Sequence, residues 1–230
     1  MFIKTAEQTT QETVLTMIDT STGYAYAVQC EQKGAGDKHA LRQFRGFIKD
    51  IGYTGDLIIQ TDPENSIQDV ATTVAAGRGS VRTEVRETPV GSKESNGTIE
   101  RFHRSLEAQI RTLKVMVEDK HGMYIGSKSI LTPWLIRHAF WLLNRSNVGS
   151  DGKTPYERLK RCKYESAIVR FAEIVHAKGY KQEGSKMSEK WTQGVWLGRT
   201  IDSNMHIVAC RKVSSSLEPS NANPYRISLI

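Results

Sequence analysis

Residues 56–62 read Asp-Leu-Ile-Ile-Gln-Thr-Asp, a short, nearly continuous apolar run that ends on a carboxylate. Without polar alternation, the run reads as a strand covered on both faces, the kind found inside α/β sheets. It delivers Asp62 at its C-terminal end, where ligand crevices of such sheets form. Just upstream, from Lys38 to Ile51, apolar residues fall at Leu41, Phe44, Phe47, Ile48 and Ile51. That spacing predicts an amphipathic helix, with Asp37 as N-cap and Gly52 as terminator. Further upstream, 13–19 and 24–29 read as a β-hairpin, followed by a glycine-broken loop at 32–37. Downstream, 65–76 reads as a helix stopped by Gly77 and Gly79, then a strand near 81–86 and a loop at 87–95. A long helix from about Gly97 to Glu118 follows, with the stripe Ile99, Phe102, Leu106, Ile110, Leu113 and Val117. Further helices are predicted at 132–145 and, opened by Thr154 and Pro155, through Arg161. The order strand, strand, helix, strand, helix, strand, helix, helix implies a layered α/β domain that opens with an antiparallel pair.

The chain has 230 residues, enough for one ordinary domain plus a small second one. Beyond Phe171, short β-like runs alternate with polar loops, which suits a small β-rich unit. The expected division is 1–165 for the α/β domain, 168–212 for the β-rich domain and 213–230, rich in Ser, Asn and Pro, for a disordered tail. No run approaches the roughly 18 apolar residues of a membrane span, and the N-terminus carries no apolar signal region. A nuclear or cytoplasmic address is the expectation. Cys30, Cys162 and Cys210 show no CxxC or zinc-ligand spacing. The net charge of +7 suits a polyanionic partner without establishing one.

Two acids stand out by placement. Asp62 ends the buried strand, and Glu100 falls in the first turn of the long basic helix, after Ser95-Asn96-Gly97. Two-metal phosphoryl chemistry needs carboxylates that converge from rigid elements so that two divalent ions bridge the attacking and leaving oxygens. From spacing alone the better fit is the plainer one, with Asp62 capping the following turn and Glu100 favouring a helix N-terminus.

The wording of the motifs adds to this. Leu57-Ile58-Ile59-Gln60-Thr61-Asp62, followed by Ser95-Asn96-Gly97-Thr98-Ile99-Glu100-Arg101, resembles the catalytic cores of retroviral and copia-type retrotransposon integrases. The two acids stand 38 positions apart. The resemblance continues through 134–145, 152–158 and 194–199 and covers roughly 13–210. It implies an RNase H-like mixed sheet flanked by helices, followed by a small β-rich domain for which an SH3-like form is one option. It also implies DNA integration by a DDE polynucleotidyl transferase with Mg²⁺ or Mn²⁺. Asp62 and Glu100 would be two of its three catalytic and metal-binding acids, DNA its partner and a homo-oligomer its working form.

The resemblance also locates a gap. Asp19, in Ile-Asp-Thr-Ser-Thr-Gly-Tyr, looks like the first acid. In the family, however, an Asp in this setting lies on the second strand and is not catalytic. The first catalytic Asp belongs to the preceding strand, here at or before Met1. The expectation is therefore an N-terminally truncated domain, catalytically silent as an isolated chain, with Asp19 a weak candidate for the vacant place. A non-catalytic nucleic-acid-binding or assembly remnant of a mobile-element polyprotein is the alternative. A nucleotide-binding protein would want a Gly-rich phosphate loop, which is absent.

For DNA contact the long helix offers Arg101, Arg104, Arg111 and Lys114. The competing reading is a solvated face held by Glu100–Arg104 and Glu107–Arg111 pairs. His138, among Trp134 and Trp141, reads as a core residue, His103 as structural, and Trp191 and Trp196 as packing of the β-rich unit.

Overall fold

The computed structural model describes residues 2–3, 12–88, 93–126, 128–178, 190–211 and 225–229. The α/β half opens with β1 (Phe2–Ile3), β2 (Glu12–Ile18) and β3 (Ala25–Cys30). The hairpin β2–β3 is antiparallel in the register Thr13↔Cys30 to Ile18↔Ala25. Its turn is closed by Gly23, which takes φ +74°, a left-handed conformation that costs glycine little. β3 is almost wholly buried because helices pack on it, and Tyr26 meets Phe140 with ring centroids 4.5 Å apart.

Helix α1 (Lys38–Asp50) starts where Asp37 accepts from the Ala40 amide at 2.9 Å and stops at Gly52, φ +80°. This is the cap chemistry expected at both ends. It leads into β4 (Leu57–Thr61), α2 (Asn65–Ala76) and β5 (Thr83–Glu87), with β4 and β5 parallel. Leu41 and Ile48 of α1 meet Ile59 of β4 and Val70, Ala71 and Val74 of α2 in one buried cluster.

Two expectations need correction here. The single mixed sheet is realised as two pieces, ordered β1-β2-β3 and β4-β5, with no ladder joining them among the described residues. The strand after Asp56 is also covered on one face only. Ile59 is buried, but Ile58 is 53% exposed. Continuous apolarity reports a capacity for burial on both faces; whether both are covered depends on neighbours that sequence does not name.

Helix α3 (Lys93–His121) is longer than the predicted 97–118, and its last turn stops at Gly122, φ +61°. The weak helix formers Ser95, Asn96 and Gly97 hid its true start. Phe102, Leu106, Ile110, Leu113 and Val117 are buried, as the stripe requires. Helix α4 (Thr132–Ser146) is pinned to β3 by Asn144. Its side chain accepts from the Ala25 amide at 2.9 Å and donates to the Ala25 carbonyl at 2.7 Å. Helix α5 (Pro155–Lys160) starts with a reciprocal cap: Thr154 accepts from the Glu157 amide, and Glu157 from the Thr154 amide.

The C-terminal part is an antiparallel meander of β6 (Ile174–Ala177), β7 (Thr192–Arg199), β8 (His206–Arg211) and β9 (Tyr225–Leu229). The tail expected at 213–230 therefore contains a strand. Tyr225 to Leu229 pairs with Arg211 to Ile207, giving β8 a second neighbour. Residues 212–224 of that stretch lie outside the described residues. β7 carries a bulge between Trp196 and Gly198, where Gly198 takes φ +134°. Leu197 and Ile207 join the buried cluster of the α/β half, while Trp196, Val208, Cys210 and Ala177 form a smaller cluster of their own.

Candidate functional site: the cleft between β2 and β4

A cavity of about 640 Å³ lies between the two sheet pieces, bordered by residues 13–20, on β2 and just after it, and by residues 56–62, on β4 and flanking it. Phe44, Phe47 and Ile48 of α1, and Thr98, Ile99 and His103 at the start of α3, also line it. Thr13, at the head of β2, pairs with Cys30. Beyond Cys30, Lys33 bridges to Glu64 at 2.7 Å, and the Ala35 amide donates to Asp69 at 2.8 Å. This end of β2 therefore lies beside the end of β4 that carries Asp62. The opposite end of β2 brings Asp19 to Gly52 and Tyr53, which precede β4. β2 and β4 thus run antiparallel, with Asp19 and Asp62 at opposite ends of the cleft.

Asp19 is occupied by its own turn. It is 8% exposed, and its carboxylate accepts from the Ser21 amide at 3.2 Å, the Ser21 hydroxyl at 2.8 Å and the Thr22 amide at 3.1 Å. The Thr22 hydroxyl donates to it as well. This is the local side-chain-to-backbone bonding that favours Asp in turns.

Asp62 is exposed at the strand end. On α3, the His103 imidazole lines the same cavity and feels the Asp62 charge. The His103 imidazole is held against the Thr16 hydroxyl at 2.6 Å, and burial pushes it down to about 4 while the Asp62 carboxylate opposes that shift. Ile99 and His103, one turn apart, face the cleft. Glu100 is exposed on the flank of α3, three positions from His103, outside the cavity lining. Asp62 lines the cavity and Glu100 does not, so the cavity does not bring the two acids together.

These donors do not fit a two-metal centre. Among the described residues no three His, Cys, Asp or Glu side chains come close enough together to hold one metal ion. The third acid that the sequence left to Asp19 lies at the far end of the cleft.

The basic residues of α3 sort into two kinds. Arg101, Arg104 and Arg111 are exposed and fall on one stripe at i, i+3 and i+10. Neither Glu100–Arg104 nor Glu107–Arg111 closes to ion-pair distance among the described residues, whose bridges lie elsewhere. Glu100 lies at the edge of this same stripe. Lys114 belongs to the other kind: it pairs with Glu118 at 3.7 Å and sits 4.8 Å from the Tyr124 ring centroid. It is engaged within the chain, which its position on the polar face could not show.

His138 is packed in the core, 2% exposed, between Trp141, Phe171 and Trp196 with centroids 5.3–5.6 Å away. Burial, with Arg145 adding to it, pushes His138 down to about 4. Trp196 is 1% exposed, but Trp191 is 58% exposed, so only the former packs as expected. Arg145, which carried no expectation, is mostly buried over the faces of Trp141, Tyr156 and Tyr164, 4.0–4.8 Å from their centroids.

A pH prediction arises from His138. Its folded value, about 4, lies below the ordinary 6.5, so between those values the unfolded chain binds more protons and stability falls as pH falls. From pH 7 to pH 5 this residue alone should cost about 2 kcal/mol, and His103, more exposed, should add a smaller part. Urea unfolding midpoints at the two pH values provide the check. His138→Phe should remove most of the difference; an unchanged difference would show that other groups carry it.

No protein-family model matches the chain, and no curated protein does. Many solved structures resemble the chain. One is the simian T-cell lymphotropic virus intasome in complex with PP2A regulatory subunit B56 gamma, at 15% identity, covering 100% of this chain and 73% of that chain, TM-score 0.47. Another is the catalytic core domain of BIV integrase, at 17% identity, covering 66% of this chain and 87% of that chain, TM-score 0.44. At these identities and TM-scores neither likeness fixes the role of any residue. No helix among the described residues is long and apolar enough to cross a membrane.

Proposed function

We propose that the chain is an integrase-type DNA-handling domain of a mobile element, related to polynucleotidyl transferases that join element ends to target DNA, and catalytically silent on its own. The observation that carries this reading is the stripe of Arg101, Arg104 and Arg111 on α3, exposed and without ion pairs among the described residues, with Glu100 at its edge. A helix face of this kind tracks phosphates, because each guanidinium offers paired donors to phosphate oxygens. The motif wording around Asp62 and Glu100 supports the same assignment. In it these two acids are catalytic, and the Mg²⁺ or Mn²⁺ of the reaction needs a further carboxylate at the Asp62 end of the cleft. Nuclear or cytoplasmic residence and a homo-oligomeric assembly on DNA belong to this proposal.

The test combines duplex binding with a strand-transfer assay on labelled donor ends, in Mg²⁺ and in Mn²⁺, run beside Glu100→Gln. The expected outcome is measurable duplex binding by both proteins and no joined product from either. Two-metal displacement draws on its acids as a unit, so loss of one removes most of the rate. Product above the Glu100→Gln level would show a complete set of acids and overturn the silence. Absence of duplex binding at low salt would sink the reading as a whole.

A further inference from the structure

The outward face of α1 carries a second row of cations. Lys38, Arg42, Arg45 and Lys49 follow one another at steps of four, three and four residues, which lines them up along one side of the helix. All four are exposed, while Ala40, Leu41, Phe47 and Ile48 are buried on the other side. No acid falls between Asp37, buried as the N-cap, and Asp50. None of the four closes an ion pair among the described residues, where Lys33, Arg86, Lys120 and Arg158 each have an acid partner. A solvated helix face is ordinarily laced with acids one turn from its bases, and like charges at that spacing repel. α1 bears this repulsion unrelieved, and an external polyanion would offset it. Arg45 is also held in place. Its guanidinium lies over the end of α2, donating to the Thr73 carbonyl at 3.3 Å. Gly77 leaves room for it, since a Cβ there would come within 2.5 Å of Nη2 and 2.9 Å of Cζ.

We propose that this row is a second phosphate-contacting face for duplex DNA, carried by α1 and separate from the Arg101, Arg104 and Arg111 stripe of α3. Its length suits that partner. At a rise of about 1.5 Å per residue the row spans roughly 16 Å. That is enough to reach between the two phosphate backbones bordering a groove about 12 Å wide. Contacts to backbone oxygens position a duplex without reading its sequence. Phe44 and Phe47 line the cavity instead, which leaves the row no aromatic ring on which an unpaired base could stack. A duplex therefore fits it better than a single strand. This face rests on the DNA-handling reading above for its partner, and on residues of its own for its contacts.

The test follows duplex affinity against salt by fluorescence anisotropy, using the full chain. The variants are Lys38→Gln/Arg42→Gln/Arg45→Gln/Lys49→Gln on α1, Arg101→Ala/Arg104→Ala/Arg111→Ala on α3, and the two sets combined. Glutamine keeps the helix propensity of the residues it replaces. The α1 variant is expected to lose about 3.6 from the slope of log affinity against log salt, at roughly 0.9 per phosphate contact. It should lose as much in the α3 background, because separate faces add. A loss from the α1 set without one from the α3 set would remove the stripe and keep this face. A loss from the α3 set alone would overturn this face and keep the stripe. Lys128→Gln/Lys153→Gln/Lys163→Gln/Lys178→Gln removes four exposed lysines that lie off both helices. An equal loss from that variant would reduce the effect to net charge and overturn the proposal. The α1 set should also cost a duplex more affinity than a single strand of the same length; the reverse would give the row to single strands and overturn it too. If circular dichroism shows that the fourfold α1 variant has lost its fold, Lys38→Gln/Arg42→Gln/Lys49→Gln leaves Arg45 on Thr73 and carries the same test, with an expected loss of about 2.7.

Discussion

Trp141→Ala is expected to destabilise the chain by about 3–5 kcal/mol, the cost of truncating a fully buried large aromatic. Trp141 is 1% exposed and carries neighbours on several sides: the His138 ring stacks at 5.6 Å, Tyr164 meets it edge-on at 5.3 Å, and the Arg145 guanidinium lies 4.0 Å from its centroid. Truncation opens a cavity and also strips one aromatic face from a mostly buried cation. Burial already lowers the Arg145 pKa, so its charge is held at a cost that these faces offset. Thermal unfolding followed by circular dichroism should show a fall on the order of 10 °C. Trp191→Ala is the comparison: at 58% exposure it should stay within about 0.5 kcal/mol of the parent chain. Equal losses at the two tryptophans would contradict the packing described for α4.

The second large effect concerns DNA. Under the proposed function, duplex affinity should fall steeply with salt, because counterion release dominates contacts of this kind. Replacing Arg101, Arg104 and Arg111 together by Ala should reduce the slope of log affinity against log salt by about 2.7, since each phosphate contact contributes roughly 0.9. Between 50 and 200 mM salt that share amounts to an affinity loss of about 40-fold in the parent chain which the variant would no longer show. Lys114→Ala should leave the slope nearly unchanged, because Lys114 is held by Glu118 and Tyr124. Fluorescence anisotropy on a labelled duplex measures both. A parent slope near zero, or a triple variant with the parent slope, would remove the stripe from the interface.

The elements read most closely from sequence were those fixed by local chemistry. The α2 limits, 65–76, were read as found, and Asp37, Gly52 and Thr154 mark helix ends whose caps form as expected. The misses share a non-local cause. β1 is two residues long and exists because β2 offers an edge, and β9 lies in a polar stretch and exists because β8 offers one. The exposure of Ile58 depends on a neighbour across a cleft, and the diversion of Lys114 depends on Tyr124 beyond the Gly122 turn. At the site, position on a strand end or helix start was legible for Asp62 and Glu100. The separation of Asp19 from Asp62 was not, because it follows from β2 and β4 running in opposite directions.

The ring stack at His138 has a consequence for how the molecule comes apart. Composition divides the chain near residue 168, yet Phe171 and Trp196 lie against His138, and Leu197 and Ile207 share a buried cluster with Phe140 and Trp141. A divide in sequence character is therefore not a divide in the core. Neither part can lose its packing without uncovering apolar surface on the other, which is the condition for a shared, all-or-none transition. Insertions and rearrangements that treat the β-rich unit as a detachable cassette would disrupt α4, and through Asn144 the hairpin strand β3 to which α4 is tied.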